Sequence, residues 1–85
     1  MIVGVAGTGS MGGAHAFRHA SIGLPVVIGS RDKQKAKALA LKINGQNVKG
    51  CTVENMIKKS NFIILAIPPH TLKDFFDTHR DLIVG

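Results

Sequence analysis

The fold of this 85-residue chain is decided by its first twelve residues, which read Met1-Ile2-Val3-Gly4-Val5-Ala6-Gly7-Thr8-Gly9-Ser10-Met11-Gly12. Residues 2–6 are a short, mostly β-branched run that ends at a glycine, as is typical of a buried strand. In residues 12–22 small and apolar side chains recur at helical spacing, and Gly23 follows where a C-terminal cap would lie. The sequence therefore predicts a strand, a glycine-rich turn and a helix in succession.

The same alternation continues through the middle of the chain. A second strand is predicted at residues 26–28, after Pro25 and before Gly29. Asp32 is a suitable N-cap for a second helix that stops at Asn44-Gly45, and its apolar stripe consists of Ala36, Leu39, Ala40 and Ile43. A short third strand is expected around Val48 within residues 46–51, followed by a short helix that Thr52 caps and that runs through Lys59.

The last third of the chain begins with an uninterrupted apolar run at residues 62–67, which predicts a central parallel strand covered on both faces. After Pro68-Pro69, Thr71 is a candidate cap for a last helix to about Arg80. Residues 82–84 are expected to begin a fifth strand. The fold class is therefore α/β, a doubly wound parallel sheet of the dinucleotide-binding type in which the first strand is central and the fourth lies beside it. We expect this sheet to be truncated after its fourth strand.

The glycine pattern lies between a predicted strand and a predicted helix, the context in which it indicates a dinucleotide site. Gly7 permits the tight turn, Gly9 leaves room for a diphosphate near the backbone, and Gly12 lets the helix pack on the sheet. The helix N-terminus presents free N–H groups and a partial positive charge to the phosphates. Further N–H groups come from the other loop residues, Thr8, Ser10 and Met11.

The end of the second strand indicates which dinucleotide is bound. An NAD site would have an acidic residue about 20 residues after the loop, whereas this chain has Gly29-Ser30-Arg31. A serine hydroxyl and a guanidinium suit a 2′-phosphate, and Lys35 could add a third contact. Asp32 is already the predicted helix cap. The sequence therefore predicts NADP(H) as the cofactor and makes FAD or S-adenosylmethionine weaker alternatives.

Ala66-Ile67-Pro68 follows the fourth strand, at the sheet edge where ligands of such folds bind. We expect the backbone there to border the ribose and nicotinamide. The simpler alternative, that the prolines only end the strand, is compatible with this.

Composition narrows the function classes without choosing among them. Eleven Lys and Arg against five Asp and Glu give a net charge of +6, which favours anionic partners. The single cysteine, Cys51, is expected to be a buried apolar residue. No stretch has the length of a membrane span and no secretory leader is recognisable, so we expect a soluble, cytoplasmic protein.

Other kinds of site find little support. His15 and His19 share a helix face, but no further ligands accompany them, so no metal site is predicted. Neither a nucleophile triad nor a carboxylate pair can be argued from spacing. Nucleic-acid binding is not expected, because Trp and Tyr are absent and the four phenylalanines are interpreted as core residues.

Three stretches together resemble the NADP oxidoreductase family dependent on the deazaflavin coenzyme F-420. They are Gly7-Thr8-Gly9-Ser10-Met11-Gly12, then Val27-Ile28-Gly29-Ser30-Arg31 with Lys35-Ala36, then Ile64-Leu65-Ala66-Ile67-Pro68. The N-terminal domains of metalloreductases and the pyrroline-carboxylate reductase group are similar too. The resemblance implies that residues 1–85 are the N-terminal part of an NADP-binding domain, with cofactor contacts at Thr8, Gly9, Ser10, Met11, Ser30, Arg31, Lys35, Ile67 and Pro68.

The resemblance also implies hydride transfer between NADP(H) and a flavin or deazaflavin acceptor, with the protein mainly positioning two rings. No catalytic residue is therefore named. The short chain leaves three possibilities open: a natural short form, a fragment that lacks its C-terminal half, or a homo-oligomer. A non-catalytic NADPH sensor that acts through a partner is the alternative function.

Overall fold

A computed structural model describes residues 1–43 and 47–84, in which strands and helices alternate. The strands are β1 (Val3–Ala6), β2 (Val26–Ser30), β3 (Val48–Thr52) and β4 (Phe62–Leu65). The helices are α1 (Ser10–Ser21), α2 (Lys33–Ile43), α3 (Val53–Lys59) and α4 (Leu72–Val84), and a 3-10 turn at Pro69–Thr71 precedes α4. The predicted stop of α2 at Asn44-Gly45 and the start of the third-strand region at Gln46 lie outside the described residues.

The four strands form one parallel sheet in the order β3-β2-β1-β4, which confirms the predicted α/β fold and strand order. Val5 pairs with Ile28 of β2 on one side and with Ile64 of β4 on the other. Because the strands are parallel and in register, the loops that follow β1, β2 and β4 leave the sheet at the same edge.

The sheet is covered on both faces. Alternate side chains of β1 and β2, including Val5 and Ile28, pack against α1 and α2. The opposite face packs against α3, where Met56 is fully buried beside Val27 and Cys51. The core therefore has two layers of side chains, as expected for a doubly wound sheet.

Three predicted helix caps are confirmed. Gly23 adopts φ +87°, and the N–H groups of Gly23 and Leu24 donate to carbonyls in the last turn of α1 at 3.0 and 3.2 Å. Asp32 Oδ1 accepts from the Gln34 N–H at 3.0 Å, and Thr52 Oγ1 accepts from the Asn55 N–H at 3.2 Å.

The prediction of a fifth strand at residues 82–84 was wrong, because these residues form the last turn of α4. Leu72, Phe75 and Leu82 are spaced by three and seven residues, which places them along one side of a helix. A helix also satisfies its backbone hydrogen bonds within itself, whereas a strand needs a neighbour. Thr71 does not cap α4 as predicted, since its hydroxyl donates to the Pro68 carbonyl at 2.7 Å in the preceding turn.

The expected central position of the fourth strand was also wrong. Within residues 1–43 and 47–84, β4 is an edge strand with half-buried or exposed side chains, because residues 82–84 are helical and do not pair with it. The interpretation of all four phenylalanines as core residues fails as well. Phe17, Phe62 and Phe76 are 60%, 53% and 42% exposed, and Phe75 alone packs against a core cluster of the described residues.

Cys51 is buried, as predicted. Burial raises the pKa of its thiol, because the charged thiolate would lose hydration, although Lys59 and Lys33 partly oppose this effect. At neutral pH the folded protein therefore holds a neutral thiol.

Gly50 tests the packing of β3 against α2. A Cβ on Gly50 would overlap the backbone carbonyl of Ala36 and the N atom of Lys37, which cannot rotate away. We expect Gly50→Ala to lower the free energy of unfolding by about 2 kcal/mol in urea titrations. Gly13→Ala in α1 is the matched control, since its Cβ would lie 3.5 Å from Leu39 Cδ1 and helix propensity favours alanine by about 1 kcal/mol. Equal stability of the two variants would contradict the described packing.

The thiol of Cys51 provides a second test. Because the thiolate is the reactive form, iodoacetamide should alkylate the folded protein at least about tenfold more slowly than the urea-unfolded chain near pH 8, as followed by mass spectrometry. Lys49→Cys combined with Cys51→Ala moves the thiol to an exposed position of the same strand and should react at the unfolded rate. Similar rates for native Cys51 and the exposed cysteine would show that the thiol is not buried.

Candidate functional site

A cleft of about 360 Å³ opens at the carboxyl ends of β1 and β2. Its lining comes from the loops after β1, β2 and β4, from the first turns of α2 and α3, and from α4 with the turn before it. Among the lining residues are Gly7, Thr8, Ser30, Arg31, Asp32, Lys35, Ile67, Thr71, Asp74, Phe75, Thr78 and His79.

The glycine loop borders this cleft. Gly7 has φ +121°, a conformation that side chains disfavour, and a Cβ there would overlap the Ala66 carbonyl oxygen. A Cβ on Gly12 would in turn overlap the Gly7 carbonyl. Gly9 differs from both, since among the described residues no heavy atom beyond its two chain neighbours lies within 4 Å of the position that its Cβ would take. Two glycines are therefore required by the packing of the loop, and the third leaves open space above it.

Helix α1 begins beside that open space. Its N-cap is Gly9, and in the part of the chain that the structure describes no side chain caps the helix and its first turn has no acidic residue. The first-turn N–H groups carry partial positive charge. The space at Gly9 and these donors together fit a bound phosphate group.

Side chains after β2 add positive charge to the cleft. Ser30 Oγ accepts from the Asp32 N–H at 3.1 Å, which leaves the serine hydroxyl free to donate. The Asp32 carboxylate caps α2, because its Oδ1 accepts a hydrogen bond from the Gln34 N–H. Arg31 and Lys35 are exposed, and neither forms an ion pair within residues 1–43 and 47–84. The cleft therefore has two cations that can bind an anionic ligand.

The structure brings half of the predicted site residues into the lining of this cleft: Gly7, Thr8, Ser30, Arg31, Lys35 and Ile67. Gly9 instead lines a neighbouring pocket between α1 and α2, which Thr8 shares. Gly12 lies beneath the loop against Gly7. The side chains of Ser10 and Met11 lie outside the described part of the structure.

The remaining predicted residues, Ala66 and Pro68, lie beside the cleft. Ala66 packs against the core cluster under α1, and its N–H donates to the Ala6 carbonyl at 2.9 Å. The Pro68 carbonyl accepts from both the N–H and the hydroxyl of Thr71. Their backbone therefore holds the loop after β4 next to the glycine loop.

Sequence reasoning missed the residues that α4 contributes, among them Phe75 and His79. No metal-ligating or nucleophilic residue accompanies His79 at a recognisable spacing, so no motif singled it out. A retrospective signal exists in the helical spacing of Phe75, Thr78 and His79 directly after the β4 loop.

Other functional features are sparse. His19 Nδ1 lies 2.7 Å from the His15 carbonyl oxygen, so this pair is joined within the helix. Among the described residues, His, Cys, Asp and Glu form no cluster of three or more that could hold a metal ion. No helix within those residues is both long and apolar enough to cross a membrane.

Comparison with known proteins identifies the family of this chain. The family model described as NADP oxidoreductase coenzyme F420-dependent matches residues 2–84, nearly the whole chain. A search of curated proteins found no match. The matched range includes every residue that lines the cleft, and the chain belongs to the coenzyme F420-dependent NADP oxidoreductase family.

Proposed function

We propose that this chain binds NADP(H) and serves in hydride transfer between that cofactor and a flavin or deazaflavin acceptor. The observation that carries the proposal is the presence, at one edge of the sheet, of a helix N-terminus without a side-chain cap hydrogen bond and of two cations that form no ion pair among the described residues. On this proposal residues 1–85 act as the NADP-binding part of an oxidoreductase.

The diphosphate binds at the N-terminus of α1. Open space at Gly9 admits it, and backbone N–H groups of Thr8, Ser10 and Met11 donate to its oxygens. Gly7 and Gly12 hold the loop in the shape that this requires. A phosphate here needs no cationic side chain, because the helix end itself carries positive charge.

The 2′-phosphate binds to the loop after β2. Arg31 can donate two parallel hydrogen bonds to it, while Lys35 and the Ser30 hydroxyl donate one each. A charge-assisted hydrogen bond contributes about 1.5–3 kcal/mol, so two of them favour NADPH over NADH by about a hundredfold or more.

The nicotinamide ring, when bound, supplies or accepts the hydride. This chain orients that ring through the backbone of the β4 loop, at Ala66, Ile67 and Pro68, on the far side of the glycine loop from Arg31. Hydride transfer requires that the nicotinamide ring and the acceptor ring are positioned against each other. No acid or base residue is therefore proposed.

Cofactor choice is tested by calorimetry. We expect the protein to bind NADPH about a hundredfold more tightly than NADH, and Arg31→Glu to abolish the preference, because a carboxylate repels the 2′-phosphate. Arg18→Glu is the matched control: it makes the same charge change on an exposed residue of α1 outside the cleft and should retain the preference. Equal affinities for NADPH and NADH in the unaltered protein would refute the cofactor assignment.

A turnover assay on the unaltered protein distinguishes an oxidoreductase from a non-catalytic NADPH sensor. Oxidation of NADPH with an added flavin or deazaflavin supports the oxidoreductase. Tight NADPH binding without turnover supports the alternative, a sensor that acts through a partner.

The glycines provide a separate test of the diphosphate site. Gly9→Ala should cost at most about 1 kcal/mol of unfolding free energy, since its Cβ enters open space at an N-cap. The substitution should nevertheless weaken the binding of NADPH and of NADH alike, by about tenfold or more, because the added methyl group occupies the position of the diphosphate. Gly12→Ala, which overlaps backbone, should lose stability instead, by about 2–3 kcal/mol in urea titrations. Unchanged affinity of Gly9→Ala would place the diphosphate elsewhere.

A further inference from the structure

The sheet has two edge strands, and they differ in charge. The strand order β3-β2-β1-β4 leaves β3 and β4 each without a second neighbour among the described residues. On β3 the side chain of Lys49 is exposed. The backbone of α2 at Ala36 and Lys37 also packs directly against Gly50 of this strand. Because lysine on an edge strand opposes further strand pairing, the β3 edge is protected both by charge and by α2.

The β4 edge lacks such charges. No Lys, Arg, Asp or Glu occurs in residues 60–72, which include the whole strand. The side chain of Phe62 is 53% exposed, and those of residues 63–65 are half-buried. An uncharged, apolar edge strand of this kind is a template on which another strand can pair.

The backbone groups at the open edge follow from the bonds between β4 and β1. The N–H groups of Phe62 and Ala66 donate to carbonyls of residues 2–6 at 3.3 and 2.9 Å, and the two strands pair in register. Alternate residues of a strand direct their backbone groups to opposite sides. Ile63 and Leu65 therefore direct their N–H and C=O groups to the open edge.

A second copy of β4 can satisfy all of these groups. In an antiparallel pair, residues that face each other exchange both of their N–H···O bonds. Ile63 of one copy opposite Leu65 of the other, and the reverse, gives two such pairs and four hydrogen bonds. Ile64 then lies on the two-fold axis, opposite its equivalent. The net charge of +6 opposes self-association elsewhere on the surface, but no like charges meet along this strand.

We propose that two copies of this chain associate through β4, so that two four-stranded sheets join into one sheet about a two-fold axis. The pairing uses the β4 edge of both copies and therefore closes at a dimer. The β3 edges with Lys49 lie at the two ends of the joined sheet and oppose further growth. A contact one strand wide is small, so we expect a dissociation constant in the micromolar range. The inference does not depend on the proposed cofactor.

Sedimentation equilibrium of the unaltered 85-residue chain should show a monomer–dimer equilibrium at about 10–200 µM. Phe62→Lys places on β4 the kind of charge that protects β3, and it should raise the dissociation constant at least about tenfold. Phe17→Lys is the matched control, because it makes the same change at a phenylalanine of α1 that is 60% exposed, and it should leave association unchanged. A chain that is still monomeric at about 200 µM would overturn the inference.

Substitutions at Ile63 test the pairing of the backbone. Proline there removes an N–H at the open edge and no bond to β1, so the folded chain should tolerate it. Ile63→Pro should raise the dissociation constant at least about thirtyfold, because each dimer loses two hydrogen bonds. Ile63→Ala shortens the side chain but keeps the N–H, and it should change the constant less than about threefold.

Urea unfolding of each variant shows whether it is folded, and Leu65→Pro replaces Ile63→Pro if the latter unfolds. Equal association of the proline and alanine variants would show that the β4 backbone is not the contact.

A cysteine in place of Ile64 tests the register. Directly opposite residues of a non-hydrogen-bonded antiparallel pair have Cα atoms about 4.5 Å apart, within the disulfide range of about 4.4–6.8 Å. In a Cys51→Ala background, Ile64→Cys should therefore give a disulfide-linked dimer on treatment with diamide, as seen by non-reducing electrophoresis. Phe17→Cys in the same background should stay monomeric on the gel. A dimer in solution that does not form the Ile64→Cys link would overturn the proposed pairing.

Discussion

The structure depends on one close backbone contact, in which the glycine loop packs against the loop after β4 and against the first turn of α1. The Gly7 backbone lies against the Ala66 carbonyl on one side, and its own carbonyl lies against Gly12 of α1 on the other. No side chain fits at either contact. This approach sets the angle at which α1 leaves the sheet, and therefore where its N–H groups are presented. It also joins the loops after β1 and β4, which the proposed ligand would bridge.

The two faces of the sheet have separate roles. Helices α1 and α2 cover the face that carries Val5 and Ile28, and α1 provides the helix N-terminus beside the cleft. On the other face α3 provides the buried packing through Met56, and α4 extends from there to the cleft. Stability thus comes mainly from the interior of both faces, whereas the chemistry is confined to one edge. Small residues at that edge keep the backbone accessible.

Charge is distributed unevenly around the cleft. The net charge of +6 reflects many exposed lysines, yet the cleft itself has Arg31, Lys35 and the Asp32 carboxylate on its β2 side and the Asp74 carboxylate on its α4 side. Such an arrangement of charges orients a ligand that has one anionic end and one uncharged end, rather than simply attracting anions. The only ion pairs within the described residues join Asp77 to Lys73 and Arg80 along α4. These exposed pairs leave the cleft cations unengaged, and each contributes little stability.

Local features of this protein were readable from the sequence because they depend on neighbouring residues. The glycine turn and the caps at Gly23, Asp32 and Thr52 each follow from backbone geometry within a few residues. The central position of β1 follows from the alternation of strands and helices together with the right-handed crossover rule. The path of α4 could not be read in this way. Whether residues 82–84 extend a helix or start a strand, and hence whether β4 is covered, depends on contacts between distant segments. The same holds for His79 and for three of the four phenylalanines. Burial of a side chain depends on which distant segments of the chain pack against it. The spacing of residues within one segment carries no information about those tertiary contacts.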